Sequence, residues 1–118
     1  MDIVVDILLA TVCFTGQGVE QCHPVLVGND TPKGEFQLVQ RYTEDPGYGG
    51  DVLKFKETKD EIYAIHRVLT LNPKQRRRER LASPNVAERR ITLGCINVDE
   101  KVYDALVDCC SNSKLIIR

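Results

Sequence analysis

Alternating apolar and polar positions predict a chain built mainly of β-strands. Two stretches rich in Val, Ile and Leu, residues 3–14 and 19–27, flank the glycine-containing segment Thr15–Gly18 and predict an antiparallel hairpin. Further strands are predicted at residues 35–41, 52–56, 61–69 and 114–118. The dense turn cluster Gly28–Gly34 separates the hairpin from these later strands.

Two segments depart from the alternation and predict helices. Asp99 is suited to cap a helix whose apolar stripe comprises Val102, Leu106 and one of two adjacent cysteines. The basic segment, Lys74–Arg80, has five basic residues and one acidic residue, and it predicts a short helix or an ordered lid. About seven strands and one or two helices indicate a mostly β fold, with residues 1–118 forming one domain.

Composition narrows the classes of partner. The 118 residues are 42% hydrophobic, enough for one packed core, and the formal net charge of −1 gives no general attraction to nucleic acid. There is no apolar run long enough to predict a membrane span. The apolar N-terminus carries Asp2 and Asp6 and no early basic residue, so it makes a poor secretory signal and a fair first strand.

The five cysteines disfavour a structural zinc site, because they form no C-x-x-C pair and the two histidines are far apart. We expect no metal and no other cofactor. Cys13 and Cys22 flank the predicted hairpin tip, where they would form either a disulfide or two reduced, half-buried thiols. Cys109 and Cys110 are interpreted as small core residues, since a bridge between neighbours is rare.

The last cysteine lies in the segment with the most informative chemistry. Cys95 follows Gly94 at the end of an apolar run, where we expect a strand to stop and the backbone to bend. His66 lies on the predicted strand upstream, whereas His23 is interpreted as a hairpin histidine. A thiol and an imidazole are the minimum requirement for a cysteine nucleophile, so the sequence favours an enzyme.

Two motifs in the sequence resemble those of a known family of enzymes. The run Thr92-Leu93-Gly94-Cys95-Ile96-Asn97 resembles the signature of the L,D-transpeptidase catalytic domains, which is Ser/Thr-His-Gly-Cys, an apolar residue, and Asn or Arg, preceded by a histidine. The run from Gly28 to Phe36 resembles the family's Gly-x-x-Thr-Pro-x-Gly-x-Phe turn and strand. The resemblance spans roughly residues 20–110. Two departures are Leu93 in place of the motif histidine and a spacer of 25 residues between His66 and Thr92.

The resemblance implies a β-sandwich or barrel with one or two short helices, and a peptidoglycan L,D-transpeptidase. Cys95 would form a thioester with a tetrapeptide stem, and His66 would be the base, its second ring nitrogen bonded to the backbone carbonyl of Arg67. The backbone amides of Gly94 and Cys95 would hold the oxyanion. Asn97 would hold the cysteine loop by hydrogen bonds.

Further residues are expected to contact the stem peptide. The substrate-binding set comprises Arg67, Thr92, Asn97, Tyr48 and Arg90. Guanidinium groups suit the carboxylates of the stem, so one or two arginines of the basic segment are also candidates. The alternative is that the basic segment is a solvated surface. The expected location is the periplasm or cell wall, and the expected partners are peptidoglycan stem peptides.

Three alternatives remain open from the sequence. With water as acceptor, the same site would give an L,D-carboxypeptidase, a wall-degrading enzyme or an antibacterial variant. The loss of the motif histidine at Leu93 would also suit an idle peptidoglycan-binding module. An unrelated small cysteine hydrolase would act on substrates that lack D-amino acids.

Overall fold

Two β-sheets dominate the computed structural model, which describes residues 2–44 and 50–118. The strands described are, in chain order, β1 (Ile3–Asp6), β2 (Thr11–Gly16), β3 (Val19–Pro24), β4 (Gly34–Gln37), β5 (Val39–Tyr42), β6 (Asp51–Glu57), β7 (Ile62–Arg67), β8 (Ile96–Val98) and β9 (Lys114–Ile117). One sheet has the order β3-β2-β1-β9-β4 and the other the order β5-β6-β7-β8. Most neighbouring strands are antiparallel, but β1 runs parallel to β9 and β7 runs parallel to β8.

The N-terminal hairpin differs from its prediction in one respect. The predicted strand 3–14 is two strands, β1 and β2, because residues 7–10 form a turn in which the Asp6 carboxylate accepts a hydrogen bond from the Leu9 amide. The β2–β3 hairpin itself is confirmed, and Gln17 and Gly18 at its tip both have positive φ. Cys13 and Cys22 face each other across this hairpin and form a disulfide.

The predicted strand 35–41 is divided between the two sheets. β4 belongs to the first sheet and β5 to the second, and Leu38 lies between them with its side chain buried. The Leu38 amide donates to the Ser113 carbonyl oxygen instead of to a strand neighbour. The prediction of one strand was therefore wrong, because the apolar residue at its centre marks the crossing from one sheet to the other.

The C-terminal helix is confirmed. α2 runs from Glu100 to Cys110, and the Asp99 carboxylate caps it by accepting from the Lys101 amide. Val102, Leu106 and Cys110 are buried, as the predicted stripe required. The prediction of two free thiols at its end was wrong, because Cys109 and Cys110 form a disulfide, although the Cys110 side chain does pack in the core.

The basic segment and its flank form short helices. A 3-10 turn at Pro73–Gln75 leads into α1 (Arg77–Ala82), and a second 3-10 turn follows at Val86–Arg89. The prediction of a short helix in this region is confirmed. In residues 2–44 and 50–118 no helix has the length and apolar character needed to cross a membrane.

Side chains from both sheets and from α2 form one large buried cluster, of which the fully buried Tyr103 is a member. The Tyr103 hydroxyl donates to Asp51 Oδ2 over 2.9 Å, and Arg67 Nη2 donates to Asp51 Oδ1 over 2.7 Å. The Arg67 guanidinium also lies 4.2 Å from the centre of the Tyr103 ring. Burial raises the pKa of Asp51, but hydrogen bonds from Arg67, Gln40 and Tyr103 outweigh it and hold the pKa below its ordinary value.

This cluster gives a first prediction. Tyr103→Phe removes one hydrogen bond to the partly buried carboxylate of Asp51, so we expect it to lower the free energy of unfolding by about 1–3 kcal/mol. Equilibrium urea unfolding measures this change. Tyr42→Phe is the matched control, since the Tyr42 side chain is 81% exposed and should tolerate the same loss. Equal stability of both variants would contradict a stabilising role for the Tyr103–Asp51 bond.

Candidate active site

Parallel pairing of β7 and β8 brings the predicted catalytic residues together. In this pairing His66 is opposite Asn97, and Cys95 lies directly before β8. The thiol therefore precedes a strand, and the expectation that it ends one was wrong, because residues 91–95 form no strand and residues 92–94 are bends. A cavity of about 350 Å³ opens here, lined by Cys95, His66, Arg77, Thr92, Leu93 and Tyr63 among others.

Two threonine hydroxyls hold the loop that carries the thiol. Thr92 Oγ1 donates to the Cys95 carbonyl oxygen over 2.6 Å and accepts from the Gly94 amide. Thr31 Oγ1 donates to the Gly94 carbonyl oxygen over 3.0 Å and accepts from the Gly28 amide. The Thr-Pro turn and the cysteine loop, which are 63 residues apart, are therefore joined through one hydroxyl.

Two glycines allow this close packing. Gly94 has a φ of +135°, in the region that favours glycine, and a Cβ there would lie 2.6 Å from the Tyr63 ring. A Cβ on Gly28 would overlap the carbonyl oxygen of Thr92. Both motif glycines are thus required by shape, at the two points where the turn, the cysteine loop and β7 meet.

Burial keeps His66 neutral. Its side chain is 1% exposed, and Nδ1 bonds to the Arg67 carbonyl oxygen over 2.8 Å, as the family resemblance implied. Burial lowers the pKa of His66 to about 4; the bond to the Arg67 carbonyl opposes this shift and the positive charge of Arg77 adds to it. At neutral pH the imidazole therefore carries one proton, and the bond to a carbonyl requires that proton to be on Nδ1.

Asn97 connects the imidazole to a guanidinium. The amide is fully buried, with Oδ1 accepting from Arg77 Nη1 over 2.7 Å and Nδ2 lying 3.3 Å from His66 Nε2. Its main chain also exchanges hydrogen bonds with Leu26, which fixes β8 from its other side. Asn97 thus orients the histidine, while Thr92 and Thr31 hold the cysteine loop.

Cys95 carries a free thiol, whereas the other four cysteines of the chain are in disulfides. Burial raises the pKa of the Cys95 thiol, and the charge of Glu61 adds to this. A hydrogen bond with the Ala64 backbone and the positive charge of Arg77 lower the pKa, but the net shift is upward. At neutral pH Cys95 is therefore a thiol, and it lines the same cavity as the neutral imidazole of His66.

The structure places five of the eight predicted site residues together: Cys95, His66, Gly94, Thr92 and Asn97. Arg67 is engaged with Asp51 and stacks on Tyr103, and the Arg90 guanidinium donates to the Ile7 carbonyl oxygen. Neither arginine is among the residues that line the cavity. Tyr48 lies outside the described residues.

Arg77 is the residue whose position the sequence did not specify. It is one of several arginines in the basic segment, and that pattern does not indicate which one enters the site. The contribution of Tyr63, whose ring closes over Gly94, was also missed. Within residues 2–44 and 50–118 no group of three His, Cys, Asp or Glu side chains is arranged to hold a metal ion.

Known structures share this architecture. The chain superposes on an L,D-transpeptidase from Mycobacterium smegmatis with 18% identity and a TM-score of 0.58, covering 99% of this chain and 58% of that one. For L,D-transpeptidase 3 from Mycobacterium tuberculosis the values are 14%, 0.67, 99% and 60%. For an L,D-transpeptidase from Stackebrandtia nassauensis they are 12%, 0.62, 99% and 54%. The chain therefore has the fold of the L,D-transpeptidases, as predicted.

The similarity between this chain and these structures is a similarity of fold. The chain spans between 54% and 60% of the length of the three structures described above. No known family model matches the sequence, and no curated protein matches it.

The contact between Gly28 and Thr92 gives a second prediction. Gly28→Ala forces a methyl group against the Thr92 carbonyl oxygen, so we expect a loss of about 1–3 kcal/mol in unfolding free energy, typical of overpacking. Because the same contact seats the cysteine loop, the alkylation rate of Cys95 should change as well. Gly16→Ala is the control, since its added methyl meets the flexible end of Gln21. Wild-type stability and thiol reactivity in Gly28→Ala would contradict the seating role.

The neutral, buried imidazole gives a third prediction. The pKa of His66 is lowered from 6.5 to about 4, so below pH 6.5 the unfolded chain binds a proton that the folded one does not. Stability from this group is fully present above pH 6.5 and is lost as pH falls through 4, by at most about 3 kcal/mol. Urea unfolding across this range should show a steeper loss in the wild type than in His66→Gln. His23→Gln should keep the wild-type slope, and parallel slopes in wild type and His66→Gln would contradict the assignment.

Proposed function

We propose that this chain is a cysteine acyltransferase of the L,D-transpeptidase type, acting on peptidoglycan stem peptides. The observation that carries the proposal is the cavity shared by the free Cys95 thiol and the His66 imidazole, in a fold that L,D-transpeptidases have. The donor is a tetrapeptide stem, which presents a carbonyl at an L-centre followed by a D-amino acid.

The chemistry follows from the protonation states. To act as the base, His66 Nε2 exchanges the hydrogen bond from Asn97 Nδ2 for the proton of the Cys95 thiol, which at rest donates to the Ile62 carbonyl oxygen. The sulfur then attacks the carbonyl carbon to form a tetrahedral intermediate. The intermediate collapses to a thioester on Cys95, and the D-amino acid leaves with the proton from His66. An amine of a second stem then attacks the thioester to give a cross-link, a free D-amino acid gives exchange, and water gives hydrolysis. In each case Cys95 is released as the thiol.

The oxyanion needs preorganised donors. The Gly94 amide already donates to Thr92 Oγ1 over 3.2 Å, so a substrate oxygen must displace that hydroxyl to use it. We therefore assign the Cys95 amide as the first oxyanion donor and the Gly94 amide as the second, with Thr92 as the residue that exchanges its bond when substrate enters.

The charges of the cavity suit a stem peptide. Arg77 provides a cation, and Asp60 and Glu61 provide anions in the same lining. A stem that carries both carboxylates and an amine would find partners for each. The interactions of Arg67 and Arg90 with other groups argue against the direct substrate contacts expected from the sequence, so Arg77 takes the role of carboxylate partner in this proposal.

The disulfides support an extracytoplasmic location. Cys13–Cys22 and Cys109–Cys110 require an oxidising compartment to persist, and the periplasm or cell wall provides one. This is also where peptidoglycan substrates are found. We therefore propose the periplasm or cell wall as the site of action.

A second candidate is an idle module that binds the wall without turnover. Burial raises the pKa of Cys95 and lowers that of His66, which favours the unreactive thiol–imidazole form. Leu93, 88% exposed beside the thiol, adds no polar group at the motif position. The test of the first proposal is designed to separate the two.

The fourth prediction tests turnover with purified disaccharide-tetrapeptide and intact-mass detection. We expect cross-linked dimers or trimmed tripeptides from the wild type, none from Cys95→Ala, and a rate at least about 10²-fold lower from His66→Ala. A carbapenem should add to Cys95 in a one-to-one ratio, since an L,D-transpeptidase is known in complex with imipenem and L,D-transpeptidase 3 from Mycobacterium tuberculosis is known with a faropenem-derived adduct.

The matched control is His23→Ala, which removes a histidine bonded to Gln21 on the hairpin and should retain full activity. If the wild type binds sacculi but gives neither a peptide product nor a carbapenem adduct, the proposal of an enzyme is wrong and the idle binding module is favoured. Turnover of an all-L stem at the same rate would instead favour an unrelated cysteine hydrolase.

A further inference from the structure

Arg77 differs from the other arginines of the basic segment in what it contacts. Arg78 forms an exposed ion pair with Glu100, and Arg80 donates to the backbone carbonyl oxygens of Gln75 and Glu88. Arg77, the first residue of α1, donates instead to the fully buried Asn97 and lines the cavity of Cys95. The segment that lengthens the spacer between His66 and Thr92 therefore brings one guanidinium to the cavity of Cys95.

The bond to Arg77 determines the orientation of the Asn97 amide. A guanidinium only donates hydrogen bonds, so the Asn97 atom 2.7 Å from Arg77 Nη1 must be the carbonyl oxygen. The amide nitrogen then necessarily faces His66 Nε2, at 3.3 Å. Because that nitrogen is a donor, Nε2 must offer a lone pair, and the ring proton must be on Nδ1, where the Arg67 carbonyl oxygen accepts it.

Arg77 also supplies a charge. The titratable groups that line the cavity with Cys95 are Asp60, Glu61, Tyr63, His66 and Arg77. His66 is neutral because its pKa is about 4, so Arg77 is the permanent cation of this set, and it shares the cavity lining with two carboxylates. The thiolate is the reactive form of a cysteine, and a nearby cation favours it.

We propose that Arg77 is the positioning residue of the Cys95–His66 pair. Through Asn97 it holds the imidazole with its proton on Nδ1, and it places a permanent positive charge beside the thiol. It does so in a chain whose motif has Leu93 where the related signature has an imidazole. The proposal deepens the proposed function and rests on it for the catalytic consequence, but both effects can be measured on the resting protein without substrate.

The fifth prediction concerns the thiol. The rate of Cys95 alkylation by iodoacetamide, followed by intact mass against pH, reports the pKa of the thiol, and the other four cysteines are protected as disulfides. In Arg77→Met we expect that pKa to rise by about one unit, so the rate near neutral pH falls about tenfold. Arg77→Lys retains the charge and should stay within about threefold of the wild type. Arg78→Met, which breaks the exposed ion pair, should match the wild type.

The same variants test the imidazole. Correlation of ring protons with imidazole ¹⁵N nuclei distinguishes the two tautomers, and His23→Gln leaves His66 as the one remaining histidine. We expect the Nδ1–H form in this background and a mixture of tautomers after Arg77→Met is added. Arg77→Gln retains a donor for Asn97 without the charge, so it should keep the tautomer while still raising the pKa of the thiol.

Arg77→Gln also preserves the test if Arg77→Met fails to fold. The proposal would be overturned if the folded Arg77 variants without the charge kept the wild-type alkylation profile, and the folded variant without the donor kept the wild-type tautomer. These measurements do not depend on turnover. If the thiol pKa and the tautomer change as expected but the stem peptide is not turned over, the proposed function is wrong and the role of Arg77 stands. If the stem peptide is turned over but neither property changes, the role of Arg77 is wrong and the proposed function stands.

Discussion

The buried amide of Asn97 is the interaction on which the site depends. Its side chain is the shared partner of His66 and Arg77, and its main chain fastens β8 to Leu26 on one side while β8 pairs with β7 on the other. A buried polar group without a hydrogen-bond partner costs about 1–3 kcal/mol of stability, and a charged one costs more. Loss of the Asn97 amide would therefore leave both His66 and Arg77 without this buried partner. A strand of three residues, Ile96–Val98, is thereby held firmly enough to fix the position of the cysteine that precedes it.

The electrostatics of the cavity favour an uncharged thiol and an uncharged imidazole. Burial moves the pKa values of Cys95 and His66 away from each other, raising the first and lowering the second. The cation of Arg77 opposes this shift at the thiol, and the anion of Glu61 reinforces it. A ligand that neutralises Glu61, or that brings the thiol closer to Arg77, would shift the balance towards the thiolate. Reactivity in this arrangement would depend on occupancy of the cavity.

Much of the fold could be predicted because its sequence signals are local. The hairpin tip, the Asp99 cap and the stripe of α2 are all set by neighbouring residues. β8 was missed because its three residues are all buried, so no alternation marks it. The cysteine motif and its upstream histidine indicated Cys95 and His66 as candidates, and the structure brings them to one cavity. Nothing in a run of arginines indicates that Arg77 turns inward. That choice depends on Asn97, twenty residues away, and so on tertiary structure.

The segment before the cysteine loop is anchored to the first turn of the chain through main-chain atoms. Arg89 Nη2 donates to the Leu9 carbonyl oxygen over 2.8 Å, and Arg90 Nη2 donates to the Ile7 carbonyl oxygen over 3.1 Å. Leu8 and Leu9 themselves are 76% and 57% exposed. Because the arginines contact backbone carbonyl oxygens, the exposed side chains of Leu8 and Leu9 are free to change over evolution, whereas Ile7 and Ala10 of the same turn are buried in the core. The length of the turn is constrained as well, since an inserted residue would move the carbonyl oxygens away from the two guanidinium groups and displace the segment that leads to the thiol.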